Sequence, residues 1–246
     1  MKDNFSKQAC AYAKFRPGYP EQLINDLVGQ TEKQERAWDC ATGNGQIASM
    51  LSPYFVEVLA TDISEKQLEK AVLKPNIKYS KGAAEETTFP DDHFDLITVG
   101  QAVHWFDFEK FNREAKRVAA PGCLLALIGY SLFKTNTAVD NVIDHFYENI
   151  VGKYWDKERR HIDNQYRTIP FPFDEIKMPE YEMQYEWDFE MMTGYLRTWS
   201  AVQHYIAANG HDPVGRIAED LKRHWGGSDR VKIHIAILTK VGRVSK

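Results

Sequence analysis

The sequence predicts an α/β domain built on a seven-stranded, mostly parallel sheet with an antiparallel edge strand and helices on both faces. Three observations predict it. Short apolar runs alternate with amphipathic stretches through the first half of the chain, which is the pattern of β-α-β units. Two glycines, Gly43 and Gly45, follow directly on the first of those runs. Two segments of strict apolar-polar alternation come late, around Tyr181 to Trp187 and Val231 to Ile237.

Taken in order, Ala37 to Cys40 is the first strand, and Gln46 to Leu51 continues as a helix off the glycine turn. Val56 to Asp62 follows as the second strand. Ser64-Glu65-Lys66-Gln67 fits a capping box, in which Ser64 satisfies open N–H groups and Gln67 reaches back, so a helix is expected to about Val72. Ile77 to Ser80 is the third strand, and Phe94 to Val99 the fourth, entered through the turn-forming Pro90-Asp91-Asp92. Phe108, Phe111, Ala115 and Val118 recur at helical spacing, and Ala120-Pro121-Gly122 stops that helix. Cys123 to Tyr130 is continuously apolar, as a strand covered on both faces should be. Later, Tyr181, Met183, Tyr185 and Trp187 alternate with polar residues, as do Val231, Ile233, Ile235 and Ile237. Helices are expected around Met191 to Tyr205 and Val214 to Trp225. The organisation is that of one domain over 1–246: an N-terminal segment (1–30), a core (36–130), an aromatic-rich helical insert with late strands (131–230) and a last strand (231–241).

With 246 residues, 43% of them hydrophobic, the chain can bury a full core without staples. A formal charge of −4 gives no electrostatic footprint for nucleic acid or an anionic membrane. The three cysteines, Cys10, Cys40 and Cys123, form no Cys-x-x-Cys pair and suggest neither disulfides nor zinc. The histidines show no ligand spacing, so no metal is expected. The N-terminus is polar and no apolar run approaches the ~20 residues that span a bilayer, which makes the cytoplasm the expected location. The sequence leaves the oligomeric state open.

Asp39-Cys40-Ala41-Thr42-Gly43-Asn44-Gly45 carries the first chemical signal. Glycines directly after a strand let the backbone turn and approach a ligand where a Cβ would collide. Asp62, at the end of the second strand, stands where a ribose hydroxyl needs an acceptor. Together these read as an adenosine-binding site. Gly43-Asn44-Gly45-Gln46-Ile47-Ala48 also satisfies the dinucleotide fingerprint, so an NAD(P)-dependent oxidoreductase is the alternative. Against it stand the acidic Asp39 inside the strand, about three dozen residues ahead of that strand, and the lack of a Tyr-x-x-x-Lys pair.

On these residues the chain resembles the class I S-adenosylmethionine-dependent methyltransferases, with their Rossmann-like sheet, and more narrowly the small-molecule branch that includes the trans-aconitate methyltransferases. Ala41 stands in place of the first loop glycine. Gly82-Ala83-Ala84-Glu85 resembles the segment after strand three, without its usual Asp. Asp95-Leu96-Ile97-Thr98-Val99-Gly100-Gln101-Ala102-Val103-His104-Trp105-Phe106-Asp107 resembles strand four and its following loop.

The resemblance implies S-adenosylmethionine as cofactor. The glycine loop around Ala41, Gly43, Gly45 and Gln46 would meet the methionine carboxylate, and Asp62 the two ribose hydroxyls. Ile63 would flank adenine, with Ala84 backbone or the Glu85 side chain meeting its edge. Asp39 would either meet the α-ammonium or hold the loop. Gln101 would line the site, and Tyr12 or Arg16, in a segment resembling the family's lid, would close over it. Ala41 and Ala83 keep open a third reading, a cofactor-binding protein without turnover.

Methyl transfer from a sulfonium needs alignment rather than a protein nucleophile. His104, past the fourth strand, could take a proton from a hydroxyl or amine, or position a carboxylate. Trp105 and Phe106 could wall the methyl site. The aromatic residues from Tyr130 to Tyr205 suggest a cover over an apolar or carboxylate-bearing small molecule, or else a satellite core. Arg159, Arg160 and Arg167 could clamp a carboxylate, although a solvated face accounts more simply for the first two.

Overall fold

Every residue of β1 (Arg36–Cys40) after Arg36 is buried, as a strand covered on both faces requires. The computed structural model, which describes residues 17–225 and 229–245, pairs β1 in parallel with β2 (Glu57–Asp62) on one side and β4 (Phe94–Gly100) on the other. β3 (Ile77–Lys81) extends the sheet beyond β2, and β5 (Ala119–Tyr130) beyond β4, again in parallel. β8 (Val231–Arg243) runs antiparallel to β5 and carries β6 (Asp174–Ile176) and β7 (Glu182–Trp187). The order β3-β2-β1-β4-β5-β8-β6, with β7 also beside β8, makes eight strands where the sequence indicates seven. The additional strand is β6, whose three residues include two exposed acids, too short to show a run or an alternation.

Side chains alternate along β1 and so build two cores. Ala37 faces the layer formed by α1 (Glu21–Gly29) and α2 (Gln46–Leu51), among Leu23, Leu27, Ile47 and Leu51. Trp38 and Cys40 face the opposite layer with Phe94, Phe111, Ala115 and Val118. α3 (Glu65–Leu68) is capped by Ser64 as expected but ends at Leu68 rather than near Val72. The chain peels away there because the Val72 N–H donates to the Asn44 carbonyl (3.1 Å) and the Val72 carbonyl accepts from the Tyr79 hydroxyl (2.7 Å). α4 (Phe108–Val118) matches the sequence, with Asp107 as its cap. Ala120, Pro121 and Gly122 end that helix yet already belong to β5, whose pairing with β4 is irregular between Phe94 and Leu96.

The second half adds α5 (Thr137–His145), which runs on into a π-helical turn at Phe146–Ile150, and the short α6 (Arg160–Asp163). The helix expected over Met191 to Tyr205 is two, α7 (Phe189–Arg197) and α8 (Ser200–Asn209), because Trp199 is extended at φ −69°, ψ 135°. A 3-10 turn at Pro213–Arg216 precedes α9 (Ala218–His224). Most of the insert's aromatic residues pack on one another: Phe133 on Tyr195 (centroids 5.7 Å), Tyr195 on Trp187 (5.0 Å), and Trp199 on Trp155 (5.5 Å). They continue the α1 and α2 core, whereas Tyr166, Phe171 and Phe173 join the opposite one. Among the described residues no helix is long and apolar enough to cross a membrane.

Candidate functional site

The turn after β1 is built around one buried carboxylate. Asp39 is 1% exposed and accepts from the Thr42 hydroxyl (2.5 Å), the Ala48 N–H at the start of α2 (3.0 Å) and the Thr98 hydroxyl of β4 (2.9 Å). Burial pushes its carboxyl from an ordinary 3.8 up to about 6, against the lowering effect of these three hydrogen bonds. Of the two roles open to Asp39 in the sequence, holding the loop is visible directly.

Three left-handed residues then turn the chain: Ala41 (φ 55°), Gly43 (φ 57°) and Gly45 (φ 80°). A Cβ on Gly45 would lie 2.2 Å from the Tyr79 hydroxyl, so this glycine is needed for packing against β3. A Cβ on Gly43 would meet no described atom within 4 Å, so the space before it is open. The N–H groups of Asn44, Gln46 and Ile47 have no hydrogen-bond partner among the described residues. An open space faced by backbone donors, with a buried carboxylate behind it, suits a ligand carrying both an anionic and a cationic group.

Ala41 takes a conformation that a methyl group disfavours by ~1–2 kcal/mol. Ala41→Gly is expected to raise the unfolding free energy by ~0.5–1 kcal/mol, the relief of that strain less the extra freedom of glycine in the unfolded chain. Equilibrium denaturation checks this, and an unchanged or lowered stability would show that the strain is absorbed by the loop.

Asp62 ends β2 beside this turn. Its carboxylate accepts from the Gly43 N–H (2.9 Å) and the Ser64 N–H (2.8 Å), tying the glycine loop to the start of α3. The Gly82 N–H donates to the Asp62 carbonyl (3.0 Å), which brings the turn at Gly82 to Glu85 alongside. Ile63 is half-buried and Ala84 buried at this same edge. Glu85 accepts from the Asp107 N–H (3.2 Å), so its side chain links this turn to the cap of α4.

Gln101 leaves β4 at φ 51°, donates its N–H to the Ile128 carbonyl (2.7 Å) and accepts through its side chain from the Tyr130 N–H (2.9 Å). It thereby fixes the chain that carries His104 against the end of β5. His104 lies in a 3-10 turn at Val103–Trp105, 5% exposed, and its Nδ1 has no hydrogen-bond partner among the described residues. Burial first, and then the charges of Arg159 and His161, bring its pKa down to about 3. It is therefore a neutral imidazole at physiological pH, a weak proton acceptor but an effective hydrogen-bonding group. Trp105 is half-buried with its ring 4.9 Å from that of His104, while Phe106 packs on Phe111 in the core.

The insert contributes residues whose placement the sequence does not reveal. Arg159 is not on a solvated face. It stacks 4.8 Å from the Trp155 ring and 5.5 Å from the Tyr147 ring, and its side chain is 17% exposed. A long aliphatic stem lets such a cation settle among aromatic rings while only its head needs polar company. Arg160 and Arg167 are exposed. Thr42 and Thr98 are further site residues missed in the sequence. Thr98 is legible only once β1 and β4 are known to pair, with Asp39 opposite Thr98. Tyr12 and Arg16 lie outside the described residues. Among the described residues no group of three or more His, Cys, Asp or Glu side chains is placed to hold a metal ion.

A family profile described as a methyltransferase domain matches residues 38–127, from within β1 to within β5, including the loops after β1, β2, β3 and β4. A Dictyostelium discoideum protein provisionally named a methyltransferase is 32% identical over 231 residues, covering 92% of this chain and 88% of that one. A solved structure from Anaeromyxobacter dehalogenans, described provisionally as a type II methyltransferase, is 36% identical and superposes with a TM-score of 0.86 over 94% of this chain and 98% of that one. The YcgJ protein of Bacillus subtilis, at 20% identity and a TM-score of 0.53 over 92% of this chain and all of that one, shares the fold.

Proposed function

We propose, because the chain belongs to the methyltransferase family, that it moves a methyl group from S-adenosylmethionine to a small-molecule acceptor, at a carboxylate or hydroxyl oxygen. The observation that carries this reading is the pairing of the glycine loop with two carboxylates, Asp39 behind it and Asp62 beside it, around an open space at the carboxyl ends of β1 and β2. When bound, the cofactor supplies the electrophilic methyl group. The Asn44, Gln46 and Ile47 N–H groups suit its carboxylate, the Asp39 charge its ammonium, and the Asp62 carboxylate its ribose hydroxyls. Ile63 and Ala84 offer apolar contact to adenine. The remaining work of this chain is alignment and exclusion of water, and a carboxylate acceptor, already ionised at neutral pH, needs no base. A His104 imidazole with a pKa of about 3 fits positioning of the acceptor better than proton removal.

Thermal unfolding with S-adenosylmethionine, S-adenosylhomocysteine or NADH tests the cofactor. A ligand at ~100 times its dissociation constant adds ~2.7 kcal/mol, and a chain of this size gains ~2–4 °C per kcal/mol. The two sulfur compounds are expected to raise the midpoint by several degrees and NADH to leave it unchanged. A shift with NADH alone would overturn the proposal.

A further inference from the structure

Two polar side chains buried at the carboxyl ends of β4 and β5 each have an atom without a hydrogen-bond partner among the described residues. The Tyr166 hydroxyl belongs to a residue 1% exposed, and it lies so close over β5 that a Cβ on Gly129 would come within 2.4 Å of it. Tyr166 is held there at φ 60°, following Gln165 at φ 54°, a conformation that a bulky side chain adopts only under constraint. The other is the His104 Nδ1. The turn that carries His104 packs against the 3-10 turn at Lys157–Arg159, and the charge of Arg159 is felt at both His104 and Tyr166. Arg159 donates from Nε to the Tyr147 hydroxyl (2.9 Å) and to Asp163 (3.4 Å), while its two terminal nitrogens have no hydrogen-bond partner among the described residues.

We infer that Arg159, Tyr166 and His104 form a recognition subsite for a carboxylate carried by the methyl acceptor, an assignment that rests on the methyltransferase reading above. The chemistry of the set is one-sided. A guanidinium donates only, and a phenol and a neutral imidazole can each donate once a ligand sets the hydroxyl rotor and the tautomer. Arg159 spends its Nε on Tyr147 and Asp163, which leaves its terminal edge, and a planar carboxylate matches a guanidinium edge in two parallel hydrogen bonds. Oxygens so engaged have their lone pairs occupied and are poor nucleophiles. The carboxylate held here is therefore the handle of the acceptor, and the atom that is methylated is a different one.

The test is a binding measurement on the full chain, followed by tryptophan fluorescence because Trp155 stacks on Arg159. Acetate, benzoate, phenylacetate and succinate are each compared with the matched amide, and methylphosphonate is included, with and without S-adenosylhomocysteine. At least one carboxylate is expected to bind saturably and at least tenfold more tightly than its amide. Arg159→Leu should erase that preference. Tyr166→Phe should weaken carboxylate binding about fivefold or more while leaving the unfolding midpoint unchanged or raised, because it deletes a hydroxyl that has no partner to lose. Equal binding of acids and amides, no binding of any carboxylate, tighter binding of methylphosphonate than of every carboxylate, or a Tyr166→Phe protein that binds as the parent does, each overturns the inference. Failure of S-adenosylhomocysteine to bind would instead sink the methyltransferase reading, and calorimetry with that compound alone reports it separately.

Discussion

Substituting Asp39 by alanine is expected to lower the unfolding free energy by ~3 kcal/mol at pH 7, or roughly 6 to 12 °C in midpoint. The substitution strands the Thr42 hydroxyl, the Thr98 hydroxyl and the Ala48 N–H, each at ~1–3 kcal/mol, and that loss is partly offset by removing a buried charge. Asp39→Asn separates the two effects. An amide oxygen in place of Oδ2 still accepts from Thr42 and Ala48. The amide NH2 then faces the Thr98 hydroxyl, which can accept from it and turn its own hydrogen to the Trp38 carbonyl, 3.5 Å away. The asparagine protein should therefore be at least as stable as the parent at pH 7, yet bind S-adenosylhomocysteine at least tenfold more weakly once the charge proposed to meet the ammonium is gone.

The pH dependence follows from the same group. A carboxyl at about 6 in the folded state and 3.8 when unfolded holds its proton more tightly in the native protein. Its favourable contribution is complete below 3.8 and is lost as pH rises through 6, a change of ~3 kcal/mol at ~1.4 kcal/mol per pH unit. His104 acts in the opposite sense, since an imidazole depressed to about 3 loses its contribution as pH falls below 6.5. The slope of either protein alone mixes these. The stability of Asp39→Asn minus that of the parent isolates Asp39 and should grow by ~2.3 kcal/mol between pH 4 and pH 6.5. A difference that stays flat would mean that the carboxyl titrates normally and that the loop is wetter than its burial indicates.

The parallel half of the sheet is legible in the sequence because each strand there is a continuous apolar run, bounded by turn residues and followed by a helical period. The same logic locates Asp39 and Asp62, since both sit at the carboxyl end of a recognisable strand. It fails where structure is set by distant partners. α3 stops at Leu68 because Val72 is claimed by Asn44 and Tyr79, neither of which its own sequence can signal. β6 exists only as an addition to β8. Arg159 reads as a solvated charge until Trp155 and Tyr147 are placed beside it. Tyr166 is one aromatic residue among many until its left-handed backbone and unpartnered hydroxyl are seen. The side proposed for the cofactor is thus written locally, whereas the side proposed for the acceptor is assembled from segments far apart in the chain.

Asp62 carries the second large effect, and the contrast with Asp39 gives it diagnostic value. The Gly43 and Ser64 groups that donate to the Asp62 carboxylate are backbone N–H groups, which donate and cannot reverse. Asp62→Ala is expected to cost ~2–4 kcal/mol of stability through these two stranded donors. It should also cost at least ~100-fold in affinity for S-adenosylhomocysteine, because two ribose hydroxyls lose a charged acceptor worth ~1.5–3 kcal/mol apiece. Asp62→Asn does not rescue either loss, since its NH2 group is forced against one of the two N–H donors. The two asparagine variants are therefore expected to behave oppositely in chemical denaturation: position 39 tolerates the amide and position 62 does not. Calorimetry on the same proteins completes the argument. If Asp62→Asn proves fully stable and binds the cofactor product as the parent does, the carboxylate serves only to join the glycine loop to α3, and the ribose must find its acceptor elsewhere.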